Sequence, residues 1–151
     1  MAGIYVHIPF CHSKCIYCDF FSTPNLKTSD NLIDALIKEY HHRSSEINES
    51  VKTLYFGGGT PSIIAADQLA RVCEALPLSD VVEFTIEANP EDVSQTAVKA
   101  WRELGVNRVS MGIQSFCDEE LRAIGRRHSA DDARRAIKCL LDGGITNLSC
   151  A

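Results

Sequence analysis

Short runs of β-branched and aromatic residues alternate along the chain with longer stretches in which apolar residues recur at helical spacing. The short runs predict five strands, at residues 4–8, 53–56, 83–87, 108–111 and 146–150. The longer stretches predict helices, because apolar residues three or four positions apart form one buried face. The repeated order of strand and helix predicts an α/β fold with a parallel sheet.

Helix boundaries are marked by capping residues. Ser94 is expected to cap a helix that Gly105 closes, and Ser129 with Asp132 resembles a capping box before a helix that ends at Gly143. A further short helix is predicted at 118–124. Because parallel strands need right-handed crossovers, five βα units imply either a doubly wound sheet or part of a barrel. The apolar positions of the three earlier helices are Leu32, Leu36, Ile37, Leu69, Val72, Cys73, Leu76, Val98, Trp101 and Leu104.

Composition indicates one ordinary globular domain, with 45% hydrophobic and 23% charged residues among 151. The amino terminus lacks the pattern of a signal peptide, and every apolar stretch is shorter than the roughly 20 residues of a membrane span. We therefore expect a cytoplasmic protein with no transmembrane segment. The chain stops at Ala151 directly after a strand-like run, so we expect residues 1–151 to be a core domain truncated at its carboxy-terminal end, with a carboxy-terminal domain absent.

The net charge of −5 argues against a nucleic-acid partner, because affinity for a phosphate backbone comes from clustered Lys and Arg. One basic run, made of Arg122, Arg126, Arg127 and His128, is the local exception. A short run of this kind is more typical of a solvated face or a small-anion site.

Three of the seven cysteines, Cys11, Cys15 and Cys18, form a C-x3-C-x2-C motif after the first predicted strand. In a reducing compartment such a motif indicates metal binding or catalysis before disulfides. Iron-sulfur clusters favour thiolate ligands and normally take four of them. Three ligands leave one iron open to chelate the amino and carboxylate groups of S-adenosylmethionine (SAM). An electron from a 4Fe-4S cluster then reaches the sulfonium and releases a 5'-deoxyadenosyl radical.

A zinc site is the alternative for the same motif, with His12 or His7 as the fourth ligand. Spacing does not separate the two. The neighbouring aromatic residues are expected to form an apolar shell around the metal site; they are Phe10, Tyr17, Phe20 and Phe21. The remaining cysteines are expected to be small buried hydrophobes; they are Cys73, Cys117, Cys139 and Cys150.

A glycine segment follows the second predicted strand, and a carboxylate ends the third. Gly58 and Gly59 lack Cβ atoms, so their main chain can approach a ligand closely, and Thr60 adds a hydroxyl. Glu87 would be costly at a strand end unless it is paired or hydrogen-bonded, and the SAM ammonium or ribose could supply the partner.

Further along, Gln114 ends the fourth strand, where its amide can bond ribose hydroxyls. Arg126 or Arg127 could pair bidentately with the methionine carboxylate of SAM. Taken singly, each of these residues is more often structural. Their shared place at strand ends favours ligand contact, because such ends carry the chemistry of barrels and open α/β sheets.

At these motifs the chain resembles one family within the radical SAM superfamily, the HemW-type haem chaperones with the related oxygen-independent coproporphyrinogen III oxidases. The resemblance covers nearly the whole chain. It rests on YVHIPFC at 5–11, the cysteine triad, CDF at 18–20, FGGGTPS at 56–62, EANP at 87–90, NRVSMGIQSF at 107–116 and GRRH at 125–128.

The resemblance implies a partial barrel of six βα units, of which about five are present, and a role for each site residue. Cys11, Cys15 and Cys18 would hold the 4Fe-4S cluster. Tyr5 and Tyr17 would lie against SAM, Gly58, Gly59 and Thr60 would contact its methionine part, Glu87 and Gln114 would hold amino and ribose groups, and Arg126 would meet the carboxylate. Haem or a porphyrinogen, an electron donor and haem-acceptor proteins are the further partners that the family implies.

The residue at position 20 differs between the two groups of this family and favours one of them. The oxidases carry another cysteine two positions beyond the third cluster ligand, whereas this chain has Phe20 there, as the chaperones do. We therefore expect a haem chaperone, with oxidative decarboxylation of coproporphyrinogen as the alternative. An RNA-modifying radical SAM enzyme and a zinc-binding module are less favoured by the sequence.

Overall fold

The computed structural model describes residues 2–151, in which five parallel strands form one sheet in the order β1-β2-β3-β4-β5. The strands are β1 (Ala2–Ile8), β2 (Val51–Gly58), β3 (Glu83–Ala88), β4 (Arg108–Met111) and β5 (Asn147–Cys150). The helices are α1 (Ser29–Arg43), α2 (Ala66–Ala75), α3 (Gln95–Leu104), α4 (Asp118–Ala123) and α5 (Ala130–Asp142). A doubly wound sheet reverses its strand order at a switch point, and this sheet does not. The fold is therefore a partial (β/α) barrel.

The two faces of the sheet differ in chemistry. Residues that point towards the helices are apolar and buried, for example Phe56, Ile86 and Met111, and they form the core with the inner sides of the helices. The opposite face is polar: Tyr55 lies opposite Thr85 in the neighbouring strand. Because side chains alternate along a strand, this polar face leads directly to the polar residues at the carboxyl ends of the strands.

Most predicted boundaries are confirmed by the structure. The Ser94 hydroxyl accepts from the Ala97 amide at 3.1 Å, and Gly105 ends α3 with a φ of 98°. Ser129 and Asp132 form the predicted capping box of α5. Two strands are longer than predicted: β1 begins at Ala2, and β2 begins at Val51 and continues through Gly58, so the glycine segment begins inside the strand and not after it.

The cysteines outside the triad divide into two groups. Cys73 is buried, and burial raises the pKa of its thiol to about 12, so it behaves as a small hydrophobe. Cys139 is partly buried on α5. The prediction of burial was wrong for Cys117 and Cys150, which are both exposed. Cys117 lies just before α4 and Cys150 lies in the edge strand β5, where no further element of residues 2–151 covers it.

Among the helices of residues 2–151, none is both long enough and apolar enough to cross a bilayer.

Candidate cluster and cofactor site

A cavity of about 480 Å³ lies beyond the carboxyl ends of the strands, where barrel folds bind their ligands. It brings together ten of the eleven site residues predicted from the sequence. These are Cys11, Cys15, Tyr17, Cys18, Gly58, Gly59, Thr60, Glu87, Gln114 and Arg126. The eleventh, Tyr5, does not line it.

The three cysteines lie on a loop whose two ends are joined. Phe10 and Thr23 form a β-bridge, the Thr23 amide donates to the Pro9 carbonyl at 2.8 Å, and the Cys11 amide donates to the Thr23 carbonyl at 3.1 Å. Within the loop, the Cys18 amide donates to the Cys15 carbonyl at 3.1 Å. The loop between these anchors, which we call the cysteine loop (residues 11–22), is therefore held over the end of β1.

The glycine segment packs against the start of this loop. The Gly59 amide donates to the Ile8 carbonyl at 2.8 Å, and the Thr60 amide donates to the Phe10 carbonyl at 2.7 Å. A Cβ atom at Gly59 would lie 2.5 Å from the Phe10 oxygen and 3.0 Å from Cys11 Sγ. Glycine is required here because the cysteine loop itself approaches the main chain, whereas the sequence had suggested an approach by a ligand.

Glu87 is oriented by two donors. The Tyr55 hydroxyl donates to Glu87 Oε1 at 2.8 Å, and the Gly58 amide donates to Oε2 at 3.0 Å. Gly58 has a φ of 116°, which only glycine adopts without strain. Burial, and then the hydrogen bond to Glu87, raise the pKa of Tyr55, so its hydroxyl keeps the proton that it donates. Tyr55 was missed from the sequence, although strand alternation places it on the polar face.

Tyr5 occupies the neighbouring position on β1, outside the cavity. Its ring stacks on Tyr55 with 5.8 Å between centroids, and its hydroxyl lies 3.2 Å from His7 Nδ1. Tyr5 lies three residues before the end of β1, which is too early to reach the strand-end cavity. Tyr5 was expected to lie against SAM, but in this structure its ring packs against Tyr55, which separates it from Glu87.

Arg126 is the centre of a polar network. Its Nη2 donates to Asn89 Oδ1 at 2.7 Å and also to the Gly112 carbonyl, and its Nη1 lies 3.6 Å from Cys15 Sγ. The Asn89 amide donates to Thr60 Oγ1 at 3.2 Å, and that hydroxyl donates to Cys11 Sγ at 3.4 Å. The network thus joins two of the three cysteines to the ends of β2, β3 and β4.

Gln114 and His128 form a second arrangement at the end of β4. Gln114 has a φ of 70°, the one positive value among the non-glycine residues from 2 to 151. The buried His128 ring lies beside it, with Nε2 3.1 Å from the Ile113 carbonyl and Nδ1 3.5 Å from Glu91 Oε2. Burial opposes ionisation of Glu91, but the His128 ring, a backbone hydrogen bond and the charge of Arg126 together outweigh it, so the pKa of Glu91 is lowered. The sequence had shown His128 only as part of a basic run.

The two candidate zinc histidines contact other side chains, although His12 also lines the cavity with the three cysteines. His12 Nε2 lies 3.4 Å from Asp92 Oδ1, and the His7 ring lies beside Tyr5. In the described part of the chain, no three His, Cys, Asp or Glu side chains converge on a single ion. A cuboidal cluster does not require its ligands to meet at one point, because each thiolate binds a separate iron and the ligands surround a larger volume.

The predicted aromatic shell was wrong. Phe10 is 2% exposed and belongs to the core, whereas Tyr17, Phe20 and Phe21 are 50%, 66% and 77% exposed. Tyr17 and Phe20 line the cavity, but they form its open rim. The cause is the cysteine loop, which leaves the sheet after Phe10 and carries the later aromatic side chains away from the core.

Together, the partial barrel and the three cysteines at its strand ends define a protein that could hold a metal cluster beside a small-molecule ligand. The sequence profile described as "Radical SAM superfamily" matches residues 5–151. The chain belongs to this superfamily.

The family implies a 4Fe-4S cluster and SAM, and the site fits both. Three thiolates line one cavity, which leaves one iron of a four-iron cluster without a protein ligand. The buried Arg126 Nε has no hydrogen-bond partner, and a buried unpaired donor is costly until a bound group supplies an acceptor.

Several relatives share most of this chain. It is 41% identical to "Heme chaperone HemW" of Lactococcus lactis, covering 96% of this chain and 39% of the relative. It is 36% identical to the protein of the same name from Bacillus subtilis, covering 99% and 41%. The chain thus spans about two fifths of the length of these relatives.

Two solved structures illustrate the fold. Coproporphyrinogen III oxidase (HemN) from Escherichia coli superposes with a TM-score of 0.87 at 30% identity, covering 97% of this chain and 35% of that one. An enzyme described as "Native anSMEcpe with bound AdoMet" has a TM-score of 0.69, but its 13% identity supports the fold alone; it covers 99% of this chain and 43% of that one.

Proposed function

We propose that this chain is the SAM-cleaving core of a haem chaperone, with a 4Fe-4S cluster on Cys11, Cys15 and Cys18. The observation that carries the proposal is the convergence of the three cysteines, the glycine segment and Arg126 on one cavity at the strand ends. When bound, the cluster supplies the electron that cleaves SAM reductively to a 5'-deoxyadenosyl radical, and an electron-donor protein has to reduce it first.

The chain's own residues bind and orient SAM in this proposal. Glu87, held by Tyr55 and Gly58, accepts from the SAM ammonium or a ribose hydroxyl. Gln114, which lines the cavity, bonds a ribose hydroxyl through its side-chain amide. Arg126, which lines the cavity, pairs with the methionine carboxylate through its guanidinium group. The cavity lining is completed by Gly58, Gly59, Thr60 and Tyr17. Tyr5 contributes indirectly, because its ring supports Tyr55.

SAM binding tests this assignment with two adjacent arginines. Arg126→Ala should weaken SAM binding by about 1.5–3 kcal/mol, the cost of losing a hydrogen bond to a charged group. Arg127→Ala removes the same charge from an exposed side chain and should have a smaller effect. The measurement is a SAM titration of the reconstituted protein, followed by the perturbation of the cluster's electron paramagnetic resonance spectrum. Equal losses in the two variants would contradict the role of Arg126.

Haem is proposed as the cargo of the whole protein. Two observations support this: the relatives named above are called haem chaperones, and Phe20 stands where the oxidases have a further cysteine. Haem-acceptor proteins would then be the partners that receive the cargo. We place the haem site outside residues 1–151, because a flat macrocycle needs a concave and mostly apolar pocket. The strand-end cavity, whose lining includes Glu87, Glu91 and Arg126, is already assigned to the cluster and SAM in this proposal.

A haem titration tests this placement. Residues 1–151, loaded with cluster and SAM, should show no stoichiometric change in the Soret absorption. A chain extended to the length of the relatives should bind about one haem and pass it to an acceptor. Tight haem binding by residues 1–151 that is lost on substituting one of them would show that the haem site lies inside this chain.

Coproporphyrinogen oxidation is the second candidate, and the similarity to HemN at a TM-score of 0.87 favours it. In that case the extended chain would decarboxylate the propionate groups of coproporphyrinogen when supplied with SAM and an electron donor. Product formation that depends on SAM would replace the chaperone proposal with this one.

A further inference from the structure

Arg126 faces the cysteine loop as well as the SAM side of the cavity. Its Nη1 lies 3.6 Å from Cys15 Sγ, across 111 residues of sequence. A distance of this length is within the range of an N–H donor to sulfur, since sulfur is larger than oxygen. The guanidinium therefore contacts a thiolate that we have assigned to the cluster.

This orientation is held by protein acceptors and does not depend on a ligand. Arg126 Nη2 donates to Asn89 Oδ1 at 2.7 Å and to the Gly112 carbonyl. Asn89 is in turn fixed by Thr60, to whose hydroxyl it donates at 3.2 Å. With Nη2 anchored to two strand ends, the planar guanidinium aims Nη1 at Cys15.

No carboxylate of residues 2–151 forms an ion pair with Arg126, as judged by N–O distances up to 4.0 Å. The Glu91 carboxylate lies near enough for Arg126 to help lower its pKa, so the positive charge of Arg126 is partly offset at longer range but not cancelled by a direct partner. Reduction adds an electron to a cluster that is already rich in negative charge. Hydrogen bonds to the cluster's sulfur ligands and nearby charge are the factors by which proteins tune such potentials.

We propose that Arg126 tunes the redox potential of the cluster, in addition to its role towards SAM. Its N–H bond to Cys15 and its positive charge stabilise the reduced cluster and raise the midpoint potential. The inference rests on the proposed cluster site. Arg126 would then act on both the cluster, which donates the electron, and SAM, which accepts it, because the same guanidinium contacts the cluster ligand Cys15 and the SAM carboxylate.

Arg127 provides a matched control. It is the next residue, carries the same charge and also lines the cavity, but its side chain is exposed to solvent, where water screens its effect, and the contact with Cys15 is made by Arg126. Arg126→Gln and Arg127→Gln therefore change the net charge equally, and only the first removes the contact with Cys15. Arg126→Lys is the second variant, because it keeps the charge but not the planar fork.

The test is a potentiometric titration of the reconstituted cluster without SAM, followed by electron paramagnetic resonance. At a fixed potential, Arg126→Gln should lower the ratio of reduced to oxidised cluster about tenfold, which is about 59 mV for a one-electron couple. Arg127→Gln should change this ratio less than twofold, and Arg126→Lys should lie between the two.

The outcomes separate this inference from the proposed function. If the unmodified protein assembles no iron and sulfide, the cluster site itself is wrong. If the cluster assembles and Arg126→Gln titrates like Arg127→Gln, the cluster site stands and the tuning role is overturned. A loss of SAM affinity in Arg126→Gln with an unchanged potential would likewise show that Arg126 acts on SAM alone.

Discussion

Replacing any one of Cys11, Cys15 and Cys18 with alanine should abolish the iron-sulfur cluster. Anaerobic reconstitution of the unmodified chain should give about four irons and four sulfides per chain, as expected of a cuboidal cluster. A cluster that has three protein ligands loses a third of its anchors with each substitution. Iron and acid-labile sulfide are measured directly, together with the visible absorption of the reconstituted protein.

The other four cysteines serve as matched controls. Each alanine variant should keep the full iron and sulfide content, because none of these residues lines the strand-end cavity. Stoichiometric zinc without sulfide in the unmodified protein would contradict the cluster and favour a zinc site instead. The control variants are Cys73→Ala, Cys117→Ala, Cys139→Ala and Cys150→Ala.

Substituting Gly59 should damage the cluster site and SAM binding together. A Cβ atom there would lie 2.5 Å from the Phe10 oxygen, and real Cβ atoms are essentially never that close to another heavy atom. The segment cannot retreat, since Gly59 and Thr60 donate to the Ile8 and Phe10 carbonyls at 2.8 and 2.7 Å. Overpacking costs about 1–3 kcal/mol. We expect about a tenfold loss of SAM affinity for Gly59→Ala and about a hundredfold loss for Gly59→Val.

Gly105→Ala is the control for general destabilisation. Gly105 has a φ of 98°, but the nearest atom to an added Cβ is 3.9 Å away, so the substitution strains the backbone without a clash. It should lower the free energy of unfolding by about 1 kcal/mol and leave SAM affinity unchanged. Wild-type SAM affinity and iron content in Gly59→Ala would show that the glycine segment does not position the cysteine loop.

The sequence by itself determined the strands, the helix caps and the candidate residues at the strand ends. These features are local: alternation has a period of two, a capping box spans four residues, and the cysteine spacing lies within one loop. Glu87 could be placed because it ends a predicted strand, and Gln114 because it lies three residues beyond one. The prediction that β2 ends at Phe56 was wrong for the same local reason, since glycine lowers strand propensity even where the strand continues.

The alternation of strands and helices is the same in a doubly wound sheet and in a barrel; the family resemblance implied the barrel, and the strand order of the folded sheet confirmed it. Strand order is set by long-range packing. The contacts of Arg126 depend on the same long-range packing, because Asn89 is 37 residues away in sequence and Cys15 is 111 residues away. No local pattern encodes such distances.

The same reason explains the residues that sequence reasoning misplaced or missed. Gly59 meets the Phe10 carbonyl, and His128 meets Glu91, only after β1 to β4 lie side by side. Phe20 was expected in an apolar shell around the metal site but lies 66% exposed on the cysteine loop. Chemical type and local period can be read from residue order, whereas the partner of each side chain follows from which strand ends the folded sheet brings together.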